Sequence, residues 1–190
     1  MKITRLGNPI LREKCRELSR DEIKSDKIKK LIREMKNALA TAGGVGISAN
    51  QLGQNLRISV ISIKPTEIHP HQITLERVLI NPEIRETFGR KIGLWEGCLS
   101  GGGRDKLFGL VPRYKKVRVK FRDATGQIRE EVLTGLAAHV IQHEIDHLNG
   151  IFFMDKVSRK SLMIQDEYRT RICGTKLGNY YEREENGRKI

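Results

Sequence analysis

Cysteine is scarce in this chain. Its 190 residues carry three, Cys15, Cys98 and Cys173. An odd number at wide spacing excludes a disulfide framework and predicts a reducing compartment. Long apolar runs are missing too: hydrophobic residues make up 38% of the chain, and no run approaches the roughly 20 residues of a membrane span. A soluble protein with no membrane contact is expected. Met1-Lys2-Ile3-Thr4-Arg5 has no long apolar core and does not read as a secretory signal. There is no internal repeat, low-complexity tract or interdomain linker, and the length fits one domain with a substantial core.

Acidic residues are also short in supply. Lys and Arg number 36 against 23 Asp and Glu, a formal net charge of +13. Such a balance favours polyanionic partners, nucleic acid or ribosomal RNA foremost. Residues 101–122 hold eight Lys and Arg against Asp105 alone. Within them Lys116, Arg118 and Lys120 alternate with Val117, Val119 and Phe121, which reads as the solvated face of a half-buried strand. No nucleic-acid-binding motif accompanies the patch, and DNA is not an expected partner.

Residues 1–20 read as an irregular arm broken by Pro9, with Leu6, Ile10 and Leu11 available to pack. Ser25 caps a helix predicted to run to about Thr41, with Ile28, Leu31, Ile32, Met35 and Leu39 as its apolar stripe and Gly43-Gly44 as its stop. Leu56 to Ile63 alternates as a strand, Pro65 to Pro70 is a loop, and Val78-Leu79-Ile80 is a short buried strand closed by Asn81-Pro82. Lys116–Arg122 and Gln127–Leu133 flank Asp123-Ala124-Thr125-Gly126 as a hairpin. Ile151 to Met154 should pack back on the core. A last helix is expected through Ser161 to Cys173, then a disordered end bearing Tyr180 and Tyr181. The pattern is α+β, strands with a central helix packed against them.

That central helix carries Gln142-His143-Glu144-Ile145-Asp146-His147, an HExxH motif. Residues four apart share a helix face, so His143 and His147 can hold one metal ion, with Glu144 beside the open position as general base. The plainer reading is a buried helix with incidental histidines. A catalytic site needs a third protein ligand. Cys98 in Trp95-Glu96-Gly97-Cys98-Leu99-Ser100 is the best candidate, against the usual fate of a lone cysteine as a small buried hydrophobe. Gly44-Val45-Gly46-Ile47-Ser48-Ala49-Asn50-Gln51 lacks the Gly-Lys-Ser/Thr ending of a phosphate loop. It reads as a tight turn or as backbone that lets a ligand approach closely.

These three blocks, in this order, resemble the peptide deformylases. Leu6-Gly7-Asn8-Pro9-Ile10-Leu11-Arg12 and the stretch from Leu148-Asn149-Gly150 to Asp155 are similar to that family as well. The resemblance covers about residues 3–158 and implies a catalytic domain over 1–158, with antiparallel strands around the metal-binding helix, and an extension over 159–190. It implies one divalent metal on Cys98, His143 and His147: Fe2+ in the cell, Zn2+ or Ni2+ as purified. Metal-bound water would attack the formyl carbonyl of a formylmethionyl nascent peptide and release formate. Glu144 would act as base and then acid, with the Gln51 amide and the Leu99 backbone N–H as oxyanion donors. Gly46, with Val45 and Gly97, would line the peptide cleft, and Leu94, Leu136 and Val140 a pocket for methionine. Glu96 would hold a ligand histidine or pair with Arg113, unless it is a solvated loop carboxylate. Asp146 reads as a structural or surface residue. A bacterial cytoplasm and ribosome association through the basic surface are expected.

The chain also departs from the family pattern. Ser48 and Asn50 replace the usual first alanine and the Pro or Thr before the glutamine. Gly101 to Leu110 reads as a longer, glycine-rich loop in which Arg104 has no clear counterpart. His139 falls where the family has Arg or an aliphatic residue, as a wall of the pocket or a further ligand. Two rivals follow from the same features: a zinc peptidase of the HExxH type, and a basic RNA- or ribosome-binding protein whose metal is structural.

Overall fold

The structure, a computed structural model, describes residues 2–67, 73–102, 105–173 and 175. In the N-terminal arm the Asn8 side chain accepts from the Ile10 N–H and starts a 3-10 turn, Pro9–Arg12. That turn buries Leu11, whereas Leu6 stays exposed. The end of the supposed irregular arm is ordered by a capping box. The Glu22 N–H donates to Ser19 Oγ and the Ser19 N–H to Glu22 Oε2, opening helix α1, Arg20–Lys24. Ser25 then caps α2, Asp26–Ala42, which ends at Gly43 with φ +62°. The predicted stripe, Ile28 to Leu39, is its buried face.

Six strands follow: β1 (Gly46–Ser48), β2 (Ile58–Ile63), β3 (Leu75–Gly97), β4 (Leu107–Arg122), β5 (Ile128–Thr134) and β6 (Met163–Ile164). They form one antiparallel sheet in the order β1-β2-β3-β4-β5, with β6 on β4. Helix α3, Gly135–Leu148, lies between β5 and the C-terminal segment. Strand β2 is covered on both faces. Ile58 and Val60 join the core under α2, while Ile61 and Ile63 join the core under α3. Alternate side chains point to opposite faces, so one strand welds the two helices to the sheet.

Three expectations need correction. The strand predicted to close at Asn81-Pro82 continues to Gly97. Asn81, at φ +52°, bends the strand at a register shift, and its side chain bridges the Leu18 backbone at 2.8 and 3.0 Å. Proline needs no ladder partner there, so the strand kinks and goes on. The supposed loop to Leu110 is already β4 from Leu107, because residues 108–111 pair with Gly97–Leu94 and Leu107 with Ile164. The last helix begins at Gln165, not Ser161, since Met163–Ile164 is held in the sheet by Phe108 and Leu107. This helix, α4 (Gln165–Arg171), lays Tyr168 on the Phe108 ring at 4.1 Å.

The hairpin around Asp123–Gly126 forms as predicted, with Asp123 accepting from the N–H groups of Thr125 and Gln127. Phe152 and Phe153 pack back against Cys98 and Val111. The basic strand face is partly neutralised: Arg118 pairs with Glu86 at 3.0 Å and Lys116 sits over the Phe88 ring. No helix of the described residues is long and apolar enough to cross a membrane. Pro70, Arg104, Tyr180, Tyr181 and the end expected to be disordered lie outside the described residues.

Candidate metal centre

Helical spacing on α3 sets His143 and His147 on one face, with ring centroids 4.8 Å apart. The turn that ends β3 brings Cys98 to them. Its Sγ is 3.1 Å from His147 Nε2, and the three candidate ligand atoms lie within 4.8 Å of one another. Among the described residues this is the one group of three or more His, Cys, Asp or Glu so arranged. The sulfur accepts from the Ser100 N–H at 3.4 Å and from Gln51 Nε2 at 3.5 Å. Gln51 is itself fixed, its Oε1 accepting from the Ser48 N–H at 2.8 Å and its Nε2 donating to Ser100 Oγ at 3.1 Å. Arg5 donates to the Leu99 carbonyl at 2.5 Å and pins that turn.

Glu96 is the hub behind the site. It is 4% exposed and accepts four hydrogen bonds. Oε1 takes Arg113 Nε at 2.6 Å and His139 Nε2 at 2.7 Å. Oε2 takes His143 Nδ1 at 2.8 Å and Arg113 Nη2 at 3.1 Å. Glu96 therefore meets both alternatives at once, ligand histidine and Arg113, and is no solvated carboxylate. With Nδ1 so engaged, Nε2 is the atom His143 can offer a metal. Arg113 also pairs with Asp146, which in turn holds Lys156 at 2.6 Å. Of the two readings of Asp146, surface residue or structural one, its burial in this ion-pair chain favours the structural.

Burial pushes the Glu96 carboxyl up, but His139 and His143 outweigh it and hold it well below the usual carboxylate range. Burial, with His143 adding to it, holds His147 neutral, the form a ligand requires. For His143 burial acts downward, yet Cys98 and Glu96 overcome it and raise the imidazole well above its ordinary value. A metal cation held at Nε2 would take the place of that proton. One cysteine sulfur, two imidazoles and an open side towards a cleft fit a catalytic divalent transition metal. His139, tied to Glu96, is not in the ligand group.

A cleft of about 260 Å³ opens onto Cys98 and His143, with His147 buried behind them. Val45, Gly46, Gly97, Leu136 and Val140 line it with Gln51, Leu99 and Glu144. Leu94 does not. It shares the Glu96 side of β3 one residue pair farther from Cys98, and is packed in the interior at 2% exposure. Two glycines are sterically required. A Cβ at Gly46 would collide with Glu144 Oε1 and come within 2.9 Å of Val140, and one at Gly97 would come within 2.6 Å of the Phe108 ring. Glu144 is buried; burial raises its carboxyl, with His143 and Ser48 opposing. Ser48 Oγ lies 2.6 Å from Glu144 Oε2. Sequence reasoning flagged Ser48 only as a departure and missed Ser100 and Arg5, whose roles depend on contacts remote in sequence.

The family model for polypeptide deformylase matches residues 1–162. Peptide deformylase 2 of Nostoc sp. is 36% identical over 168 residues, 87% of this chain and 91% of that protein. The peptide deformylase of Thermomicrobium roseum is 39% identical over 163 residues, covering 85% and 89%. The Met-Ala-Ser-bound class I type b peptide deformylase of Acinetobacter baumannii superposes with a TM-score of 0.77 at 31% identity, over 83% of this chain and 98% of that one. Matched through fold and sequence alike, the chain belongs to the polypeptide deformylase family, metalloenzymes that remove the N-formyl group from nascent peptides.

Proposed function

We propose that Cys98, His143 and His147 hold the single divalent metal of this deformylase. The observation that carries this reading is the convergence of their ligand atoms within 4.8 Å beside a cleft that Cys98, His143 and Glu144 line. A soft thiolate with two imidazoles accepts Fe2+, Zn2+ or Ni2+, with Fe2+ in the cell and the others as purified. When bound, the metal supplies Lewis acidity to the formyl oxygen and acidifies a water.

The protein groups do the rest. Glu144 takes a proton from the attacking water and returns it to the leaving amine. The formamide and water thus become formate and a free N-terminus. Gln51 Nε2 and the Leu99 N–H stabilise the negative charge that develops on the formyl oxygen. Strand β1 stands at the sheet edge, paired on one side with β2. The peptide adds along that edge at Gly46, past Val45 and Gly97. The methionine side chain enters between Leu136 and Val140. Glu96 and Arg113 orient His143 from behind. Met-Ala-Ser, the ligand of the Acinetobacter baumannii enzyme, is the product expected to occupy this cleft.

The catalytic unit is residues 1–158, with 159–190 as an extension. The +13 charge supports ribosome association, and a formylated substrate fits work in a bacterial cytoplasm. A structural metal would want a fourth protein ligand, and His139 is engaged with Glu96.

The test is formate release from formyl-Met-Ala-Ser by anaerobically purified protein loaded with Fe2+. Rapid release, one metal per chain, and loss of turnover with retained metal in Glu144→Gln are expected. Full activity in Glu144→Gln would overturn the role of Glu144. Equal cleavage of an unformylated peptide would bring the peptidase reading forward.

A further inference from the structure

Ser48 is fully buried on β1, opposite Ser59 of β2. Its Oγ lies 2.6 Å from Glu144 Oε2, 2.8 Å from Ser59 Oγ and 3.1 Å from the Glu144 carbonyl. A serine hydroxyl has one proton and two lone pairs. Of the acceptors around it the carboxylate is the strongest, so the Ser48 proton goes to Glu144 Oε2. Ser59 then donates to Ser48, which completes a two-hydroxyl chain ending on one oxygen of Glu144. The other oxygen, Oε1, faces the space where Gly46 has no Cβ.

We propose that Ser48 is a positioning residue that fixes the rotation of the Glu144 carboxylate, reserving Oε1 for proton transfer. This rests on the reading of Glu144 as the proton carrier. The backbone N–H of the same residue holds Gln51 Oε1 at 2.8 Å. Ser48 thus aligns the proton carrier by its side chain and an oxyanion donor by its main chain, on a strand locked to β2. The family's usual alanine at this position keeps the second link and lacks the first. In this chain the carboxylate is held by a hydrogen bond to a charged group, a stronger contact than a neutral one.

The test compares Ser48→Ala, Ser59→Ala and Glu144→Gln, each loaded with metal, on formyl-Met-Ala-Ser. Ser48→Ala is expected to lose about tenfold in kcat with KM within about twofold, the loss of one charge-assisted hydrogen bond that acts on the chemical step. Metal content should be unchanged. Ser59→Ala removes a buried oxygen from the same spot but leaves the Ser48–Glu144 bond, and should lose about twofold or less. A crystal structure of the zinc form of Ser48→Ala should show the Glu144 carboxylate rotated or in two orientations.

Equal losses in the two serine variants would mean a packing effect and overturn the proposal. So would wild-type kcat in Ser48→Ala, or an unmoved carboxylate, while Glu144→Gln is inactive. Activity in Glu144→Gln would instead remove the reading of Glu144 on which the proposal stands.

Discussion

Replacing Glu96 by glutamine changes no volume and deletes one negative charge. Its consequence can be counted from the hydrogen bonds. Each carboxylate oxygen accepts from two donors: Arg113 Nε and His139 Nε2 at Oε1, Arg113 Nη2 and His143 Nδ1 at Oε2. A glutamine has one oxygen and one NH2, so in either orientation its NH2 faces two N–H donors. Two charge-assisted hydrogen bonds are lost, at roughly 1.5–3 kcal/mol each, giving about 3–6 kcal/mol. A chain of this size loses roughly 2–4 °C of Tm per kcal/mol, so a drop of about 6–24 °C is expected by calorimetry of the metal-loaded protein. With the NH2 towards His143, the ring loses its orienting acceptor and metal affinity should fall about 10–100-fold, read by competition with a chromophoric chelator. A variant that melts within about 2 °C of wild type and holds metal equally well would refute the account of Glu96 as a buried four-bond hub.

Gly46→Ala should fold yet lose about a hundredfold or more in kcat/KM, because the new Cβ collides with Glu144 Oε1 and displaces a catalytic group; near-wild-type formate release would show that the carboxylate can move aside freely. Removing the metal with a chelator should lower Tm by about 8–16 °C if the protein is held at about 1,000 Kd of metal beforehand, since binding to the folded state alone contributes about 4 kcal/mol; no shift would mean the site is not linked to folding. Asp123 in the β4–β5 turn is lowered from 3.8 to about 2: burial raises it, but Thr125 and Arg129 outweigh that through hydrogen bonds. A depressed carboxyl stabilises the fold above its unfolded pKa and loses that contribution as pH falls through its folded one. The stability gap between wild type and Asp123→Asn in urea should therefore be full above pH 3.8 and close towards pH 2; a gap that widens on acidification would refute the sign.

Much of the site was legible because its geometry is local. His143 and His147 face the same way on any helix, and the run Leu136 to Leu148 dictates a helix. The stripe of α2, its Ser25 cap and its Gly43 stop are written in adjacent residues. So is the Asp123–Gly126 turn. Cys98 is picked out as the candidate third ligand by chemistry and resemblance, since no periodicity links it to His147, its contact 49 residues on.

Tertiary structure decided what depends on several elements meeting. Whether Asn81-Pro82 ends a strand or bends it turns on the Leu18 backbone being there to bond the asparagine. Whether Glu96 is solvated depends on β3, β4 and α3 bringing four donors to one carboxylate, which no single segment encodes. Leu94 reads as a pocket residue by its apolar character, but only the placement of β3 shows it sealed in the interior. Ser48 looks like a small substitution in a glycine-rich turn until β1 pairs with β2 and lies against α3. A hydrogen bond of 2.6 Å to Glu144 then gives it work that its sequence position could not announce. Local preference sets helices, turns and spacing; the cost of burying charge without partners selects the arrangement in which the remote residues meet.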